Sequence, residues 1–306
     1  MATEEAGSRL SPPARFATNN RLAIIAMLCA MAAFVTNDML VKLVSEQGVP
    51  TGEIIAVRGL IACFIVGLIV YRRGEFRLLK ASFTEKSLIL RTFFEVAATV
   101  SFLTALFHMP IANATAILQA IPLAVTAAAA VSLKSDVGWR RWTAIGVGFC
   151  GVLLIIQPGY QGFSIYAGLV LVTLVTSTAR DLITRSVPEK YSSYLITLLT
   201  FIFTTAAGFV MGYFENWVAL DLRILLYLLC ATCLLSIAFF GIITAMRIGD
   251  LPVIAPFRYT SAVFAIFFGI VVWQEIPNTM MLCGIMLVIA TGIYSFYREY
   301  YKTRSR

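Results

Sequence analysis

The sequence predicts an all-α membrane protein of ten transmembrane helices arranged as two inverted five-helix repeats. Three observations carry that prediction. The 306 residues are 59% hydrophobic and only 13% charged, whereas a soluble domain averages roughly 45–50% apolar and about 25% charged residues. The apolar residues gather into ten runs of bilayer-spanning length. The second five of these runs re-read the first five.

Residues 1–20 form a polar N-terminal tail with Glu4, Glu5 and Pro12-Pro13. The spans read 21–43, 51–71, 87–108, 111–132, 139–156, 163–183, 192–213, 222–246, 250–272 and 279–297. About 20 apolar residues at ~1.5 Å rise cross a hydrocarbon core of roughly 30 Å. The run 139–156 is short and is expected to stand nearly upright. Ala30-Met31-Ala32 could pass for a signal-peptide cleavage site. The run before it is too long for a typical signal core, and the repeat needs it, so retention is expected. The first repeat is read as 21–156, the second as 163–297, and 298–306 as a basic C-terminal tail. The longest connection, 72–86, is too short to fold as a domain.

The net charge of +8 does not point to nucleic acid, because of where it lies. Arg72, Arg73, Arg77, Lys80, Lys86, Arg140, Arg141 and the C-terminal bases fall on one side of the predicted bilayer, and only Lys42 and Arg223 on the other. By the positive-inside rule this places both termini in the cytoplasm. The bilayer and a small-molecule substrate are the expected partners, and a homodimer is compatible with the reading.

Shifting the chain by 140 residues lays Thr104-Ala105 on Thr244-Ala245 and Ile111 on Leu251. Nearer the start the offset is 143, and Asn37-Asp38-Met39-Leu40-Val41-Lys42 meets Arg180-Asp181-Leu182-Ile183-Thr184-Arg185. Each reads acid-x-x-x-base, which sets the two charges on one helix face. Asp38–Lys42 and Asp181–Arg185 are therefore expected to act as paired elements of an outer and an inner gate, with solvated helix-end pairs as the plain alternative.

Ionisable side chains at span centres cost ~2.5–3.5 kcal/mol on insertion scales, so deep ones are functional candidates. Arg58, Arg91, Glu95 and Arg258 qualify. Glu95 either pairs with Arg91, four residues earlier, or stands free in a cavity as a proton-coupling carboxylate. Arg58 is expected either to gate or to pair with Asp38. Arg258 follows Pro256, which removes a backbone donor within the span. It is expected to clamp an anionic group, or to pair with Glu95. The matching place in the fourth span carries Gln119 and Pro122. Arg258, Tyr259, Gln119 and Asn37 are thus the candidate substrate ligands, where the fourth and ninth spans are expected to meet.

Other patterns carry no chemistry. Gly146-x-Gly148-x-x-Gly151 lies inside an apolar run, so it reads as close helix packing. Cys230-x-x-Cys233 also lies in a span, and His108 is the only histidine. No metal site, cofactor, P-loop or catalytic residue is expected.

The ten-span plan and Glu275, which closes the ninth span before Ile276-Pro277, resemble the drug/metabolite transporter superfamily. The likeness is narrower to its EamA-domain branch, over residues 20–298. Asp38-x-x-x-Lys42, Arg58 and Ala114 to Leu133 resemble the first EamA unit, and 163–298 the second. The first unit departs from the pattern at Lys134-Ser135-Asp136, where an acid like Glu275 is usual. The resemblance implies secondary transport in a bacterial inner membrane. The Asp-x-x-x-Lys first span with its downstream Arg looks most like the vitamin and cofactor importers, with riboflavin foremost. Amino-acid or metabolite export and S-adenosylmethionine carriage stay open, as do a membrane-embedded enzyme or a sensor at lower weight.

Overall fold

The computed structural model describes residues 20–132, 139–157, 164–184, 186–188, 190–249 and 251–304. Every regular element among them is helical: α1 Asn20–Ser45, α2 Thr51–Arg72, α3 Leu79–Ser82, α4 Lys86–His108, α5 Ile111–Leu118, α6 Ile121–Ser132 and α7 Trp139–Ile156. They are followed by α8 Ala167–Thr184, α9 Ser193–Gly212, α10 Leu222–Ile248, α11 Leu251–Ile254, α12 Thr260–Trp273 and α13 Thr279–Arg304. A 3₁₀ turn, Glu75–Leu78, precedes α3, and another, Ala255–Tyr259, joins α11 to α12. Eight described segments are long and apolar enough to cross a membrane, and Trp142–Ile156 and Thr279–Ser295 are shorter apolar helices.

Two membrane-length segments are interrupted, each near a proline. α5 ends at Leu118, and the chain turns through Gln119 and Ala120 before Ile121-Pro122 opens α6. Proline suits that position because the first helical turn leaves its backbone donors unpaired in any case. The other break is the 3₁₀ turn containing Pro256. Both prolines act where a helix restarts.

Helices pack in a regular pairing: α1 with α10, α2 with α9, α4 with α8, α7 with α13, and α5 with α12. The α7–α13 seam shows why small residues matter. A Cβ on Gly151 would stand 2.9 Å from the Gly284 carbonyl oxygen, and one on Gly284 would stand 2.6 Å from that of Gly151. This is the close packing expected of the glycine-rich stretch in α7.

The apolar core is uneven along the helix axes. The ends of the bundle are called here the terminal face, where α1 begins, and the opposite face. The main cluster fills the half toward the opposite face. It includes Val41 and Val44 of α1, Ile54 of α2, Leu106 of α4, Ile117 of α5, Ile155 of α7, Val170 of α8, Leu228 of α10 and Ile285 of α13. Toward the terminal face, two separate clusters replace it. One joins Val66 and Val70 of α2, Leu88 of α4 and Leu195, Leu198 and Leu199 of α9. The other joins Ala23, Met27 and Met31 of α1, Ala245 of α10 and Ile254 of α11.

Candidate functional site

The interrupted segments meet midway through the bundle. Gln119, at the α5–α6 break, donates from Nε2 to Ser261 Oγ at 2.6 Å. Ser261 sits in the first turn of α12 and donates back to the Arg258 carbonyl at 3.0 Å. The expected meeting of the two proline-bent segments is present, and Ser261 makes the contact. Tyr259 is buried against α13, where Gly292 leaves room for its hydroxyl. Arg258 is exposed, and its alternative partner, Glu95, is held elsewhere.

Glu95 lies between two guanidinium groups. Arg180 Nη1 of α8 reaches both its oxygens, at 3.0 and 3.1 Å. Arg91, one turn earlier on α4, pairs with Oε2 at 3.2 Å and donates to Thr200 of α9 at 2.7 Å. Arg180 also donates from Nε to Asp181 Oδ1 at 2.8 Å. One carboxylate thus ties α4 to α8, and Arg91 extends the tie to α9. Arg185, the expected partner of Asp181, lies outside the described residues.

The Asp38–Lys42 pair is corrected by the structure. Both residues are buried, but they turn to different partners. Lys42 donates to the Met109 carbonyl at 2.8 Å and lies 3.8 Å from Glu275 Oε1 and 4.7 Å from the Trp273 ring centre. The reason is local. Pro110 forces Met109 into extended backbone and ends α4, which leaves a carbonyl outside the helical ladder. On the other side, α12 closes with Gln274 in the left-handed region, and the Glu275 amide bonds back to Gly269. That turn brings Glu275 to Lys42. Trp273 Nε1 in turn donates to Glu46 Oε1 of α1 at 2.5 Å. Burial and the nearby Glu46 push the Glu275 carboxyl above the usual carboxylate range, with Lys42 acting against them.

Asp38 instead accepts from Asn37 Nδ2 at 2.8 Å and lies in the field of Arg58 on α2. Asn37 is 1% exposed, and its Oδ1 has no hydrogen-bond partner.

Arg180, Thr200, Met109, Trp273 and Ser261 were not read from the sequence as site residues. A signal for Arg180 existed. In both halves the residue directly before the aspartate is its donor, Asn37 for Asp38 and Arg180 for Asp181. The dipeptide was the informative unit, and the acid-x-x-x-base spacing obscured it.

Two cavities lie away from the central crossing. One of about 400 Å³ runs along α7 and α13, lined by Trp139, Arg140, Thr291 and Tyr294. Another of about 160 Å³ lies beside Glu275, lined by Asn113, Gln157 and Asn278. The second is smaller than the ~300–1,000 Å³ usual for a small-molecule site.

Comparison with known proteins bears on this geometry. Residues 21–157 match the EamA-like transporter family. The S-adenosylmethionine uptake transporter of Rickettsia prowazekii is 23% identical over 62% of this chain and 64% of its own length. The chain thus spans a little under two thirds of that relative. The pseudopaline exporter CntI of Pseudomonas aeruginosa is 23% identical over 87% of this chain and 94% of its own length. The riboflavin transporter of Rhizobium johnstonii is 26% identical over 64% of this chain and 65% of its own length. A protein of known crystal structure superimposes with a TM-score of 0.60 at 16% identity, covering 89% of this chain and 96% of its own, a likeness of fold alone. The domain match over residues 21–157, a little under half of the chain, and these relatives support a likeness to the EamA-like branch of the drug/metabolite transporter superfamily.

Proposed function

We propose that the protein is an inner-membrane secondary transporter that moves a small polar metabolite by alternating access. The observation that carries this reading is the meeting of two interrupted membrane segments through Gln119 and Ser261. Broken helices at the midplane of inverted repeats are where transporters of this design bind substrate. Gln119, Arg258, Tyr259 and Asn37 are assigned to the substrate.

The reading takes these helices as ten spans in two inverted halves. The first half runs α1, α2, α4, α5–α6 and α7. The second runs α8, α9, α10, α11–α12 and α13. Exchanging the halves turns the α1–α10 contact into α8–α4, and both pairs are present. The α2–α9 and α7–α13 pairs map onto themselves, as does the pairing of the fourth span with the ninth taken as whole segments, which a two-fold relation in the membrane plane requires. The basic loops assign the terminal face to the cytoplasm. Lys42 belongs to a gate at the opposite face, together with Glu275. Glu95, Arg180 and Asp181 belong to one near the cytoplasm.

Riboflavin or a related cofactor is the first substrate to test, and S-adenosylmethionine the second, since relatives at comparable identity are named for each. Bacterial cells unable to make or import riboflavin should accumulate the labelled vitamin when they carry this gene. Arg258→Ala or Gln119→Ala should abolish the uptake. No uptake by cells that hold the protein in their membrane removes riboflavin and turns the test to S-adenosylmethionine.

A further inference from the structure

We propose that Asp38 is the proton-carrying group of the transporter, an inference that rests on the transport reading above. The membrane-embedded carboxyl groups among the described residues differ in what holds them. Glu95 is fixed between Arg91 and Arg180, so its charge is already neutralised, and releasing it would separate α4 from α8. Asp181 is more exposed and bonded to Arg180. Glu53, in the first turn of α2, accepts from the Val218 amide at 2.9 Å. Glu53's partner is a backbone amide, which can only donate, whereas Asp38 is buried amid the main apolar core beside a side-chain amide that can donate or accept.

That partner suits both protonation states. Asn37 now donates from Nδ2 to the carboxylate, while its own oxygen is buried without a partner. An amide turned over presents that oxygen in place of the nitrogen. A protonated Asp38 then donates its hydroxyl to Asn37, and the unpaired acceptor is satisfied. The pair is therefore hydrogen-bonded with or without the proton, where an isolated buried carboxyl would lose a bond in one state.

The surroundings supply the rest. On α2, Arg58 is the cation facing Asp38. On α1, Lys42 lies one turn on and is committed to Met109 and Glu275. On α4, Arg91 and Glu95 are committed to the α8 tie, and His108 Nδ1 contacts the Thr104 carbonyl. α10 brings Cys230 and Cys233, both exposed, with Tyr227 and Arg223 beyond them. α12 carries no acid or base, and the turn before it brings Arg258 and Tyr259. Asp38 takes a proton from water at one face, forming an O–H bond and releasing Arg58 from its counter-charge. That bond breaks when the site opens to the other face, and the proton leaves to water there. One proton moves per cycle, and nothing is oxidised or reduced.

The test uses the full chain in liposomes with labelled riboflavin, then S-adenosylmethionine, and an internal pH dye. Wild type should accumulate label above equilibrium when the outside is acidic, with protons entering alongside it. Asp38→Asn should lose that accumulation and the proton entry together, bringing the label to its equilibrium level. Infrared titration of the purified protein, which needs no substrate, should show a protonated-carboxyl band that Asp38→Asn removes. Gradient-driven accumulation by Asp38→Asn, or a band unchanged by it, overturns the proposal. Failure of the wild type to exchange either label counts against the transport reading, while the infrared arm still decides Asp38. If Asp38→Asn does not fold, Asn37→Ala should keep the band but move its midpoint pH, and an unmoved midpoint overturns the proposal.

Discussion

The two ends of the bundle are held together in different ways. Toward the opposite face, helices from both halves share one apolar core, closed by Lys42 between the end of α4 and the end of α12. Toward the terminal face that core divides into an α2–α4–α9 cluster and an α1–α10–α11 cluster. The charged network there ties α4 to α8 and α9 and leaves α1 and α10 outside it. Apolar contact is non-directional and scales with area, so it can bind many helices into one block. Ion pairs are directional and select their partners. The terminal half is therefore built as two separately packed groups, the arrangement expected of groups that move relative to each other. Under the alternating-access proposal, this conformation is the one held closed at the opposite face.

The largest expected effect comes from breaking the charged tie. Arg180→Gln leaves Glu95 with Arg91 alone and removes the ion pair between α4 and α8. Taking one member from a fully buried ion pair costs roughly 3–5 kcal/mol, because the other is left poorly compensated, and this part-buried pair should cost somewhat less. The variant should show a clearly lower thermal midpoint in detergent. Adding Glu95→Gln should recover much of the loss, since two amides can bond without a stranded charge. If the double variant is no more stable than Arg180→Gln, the tie is not what joins these helices.

A smaller effect is expected at the apolar end, where the core shares the load. Lys42→Met strands the Met109 carbonyl and the Glu275 carboxylate. An unpaired buried polar group costs about 1–3 kcal/mol, and ~1.4 kcal/mol is a tenfold change in an equilibrium. A cysteine placed at Ile111, which is fully buried, should react roughly tenfold faster with a water-soluble thiol reagent from the opposite face. Exchanging the charges as Lys42→Glu with Glu275→Lys should slow that reaction relative to either single change. Equal rates in all three variants would mean that the apolar core closes this face unaided.

The same contrast explains what the sequence revealed. Span positions follow from apolar run length, a local property, and α1, α2, α4 and α9 lie within a few residues of the predicted limits. The breaks at Gln119 and Pro256 were legible because proline acts on its own backbone. The meeting of those segments was legible because a shift of 140 residues lays one on the other. Partner choice was not. Acid-x-x-x-base spacing places Asp38 and Lys42 on one face of α1, yet Lys42 is claimed by a carbonyl 67 residues away. That carbonyl is free because of Pro110, and Glu275 arrives because Gln274 adopts a left-handed turn usually left to glycine or asparagine. Arg180 was hidden for a related reason. Its partner Glu95 lies 85 residues away, and only tertiary packing brings them together.

The smallest and most specific test concerns pH at the Lys42 latch. The Glu275 carboxyl lies above the usual carboxylate range because of its burial and Glu46. In the folded protein it therefore binds a proton more readily than in the unfolded chain. Acidification through that window does not lower overall stability by way of this group, since the folded form gains the proton first. What weakens is the attraction between Glu275 and Lys42, which is present above the raised range and lost as pH falls through it. Trp273 reports the change directly, with the Lys42 ammonium over its ring and its indole N–H on Glu46. Its emission should shift reversibly as the medium at the opposite face is acidified. Glu275→Gln should remove the shift while leaving the indole in place, and Trp273→Phe should remove the signal itself. A shift that persists in Glu275→Gln would detach the pH response from Glu275 and its contact with Lys42.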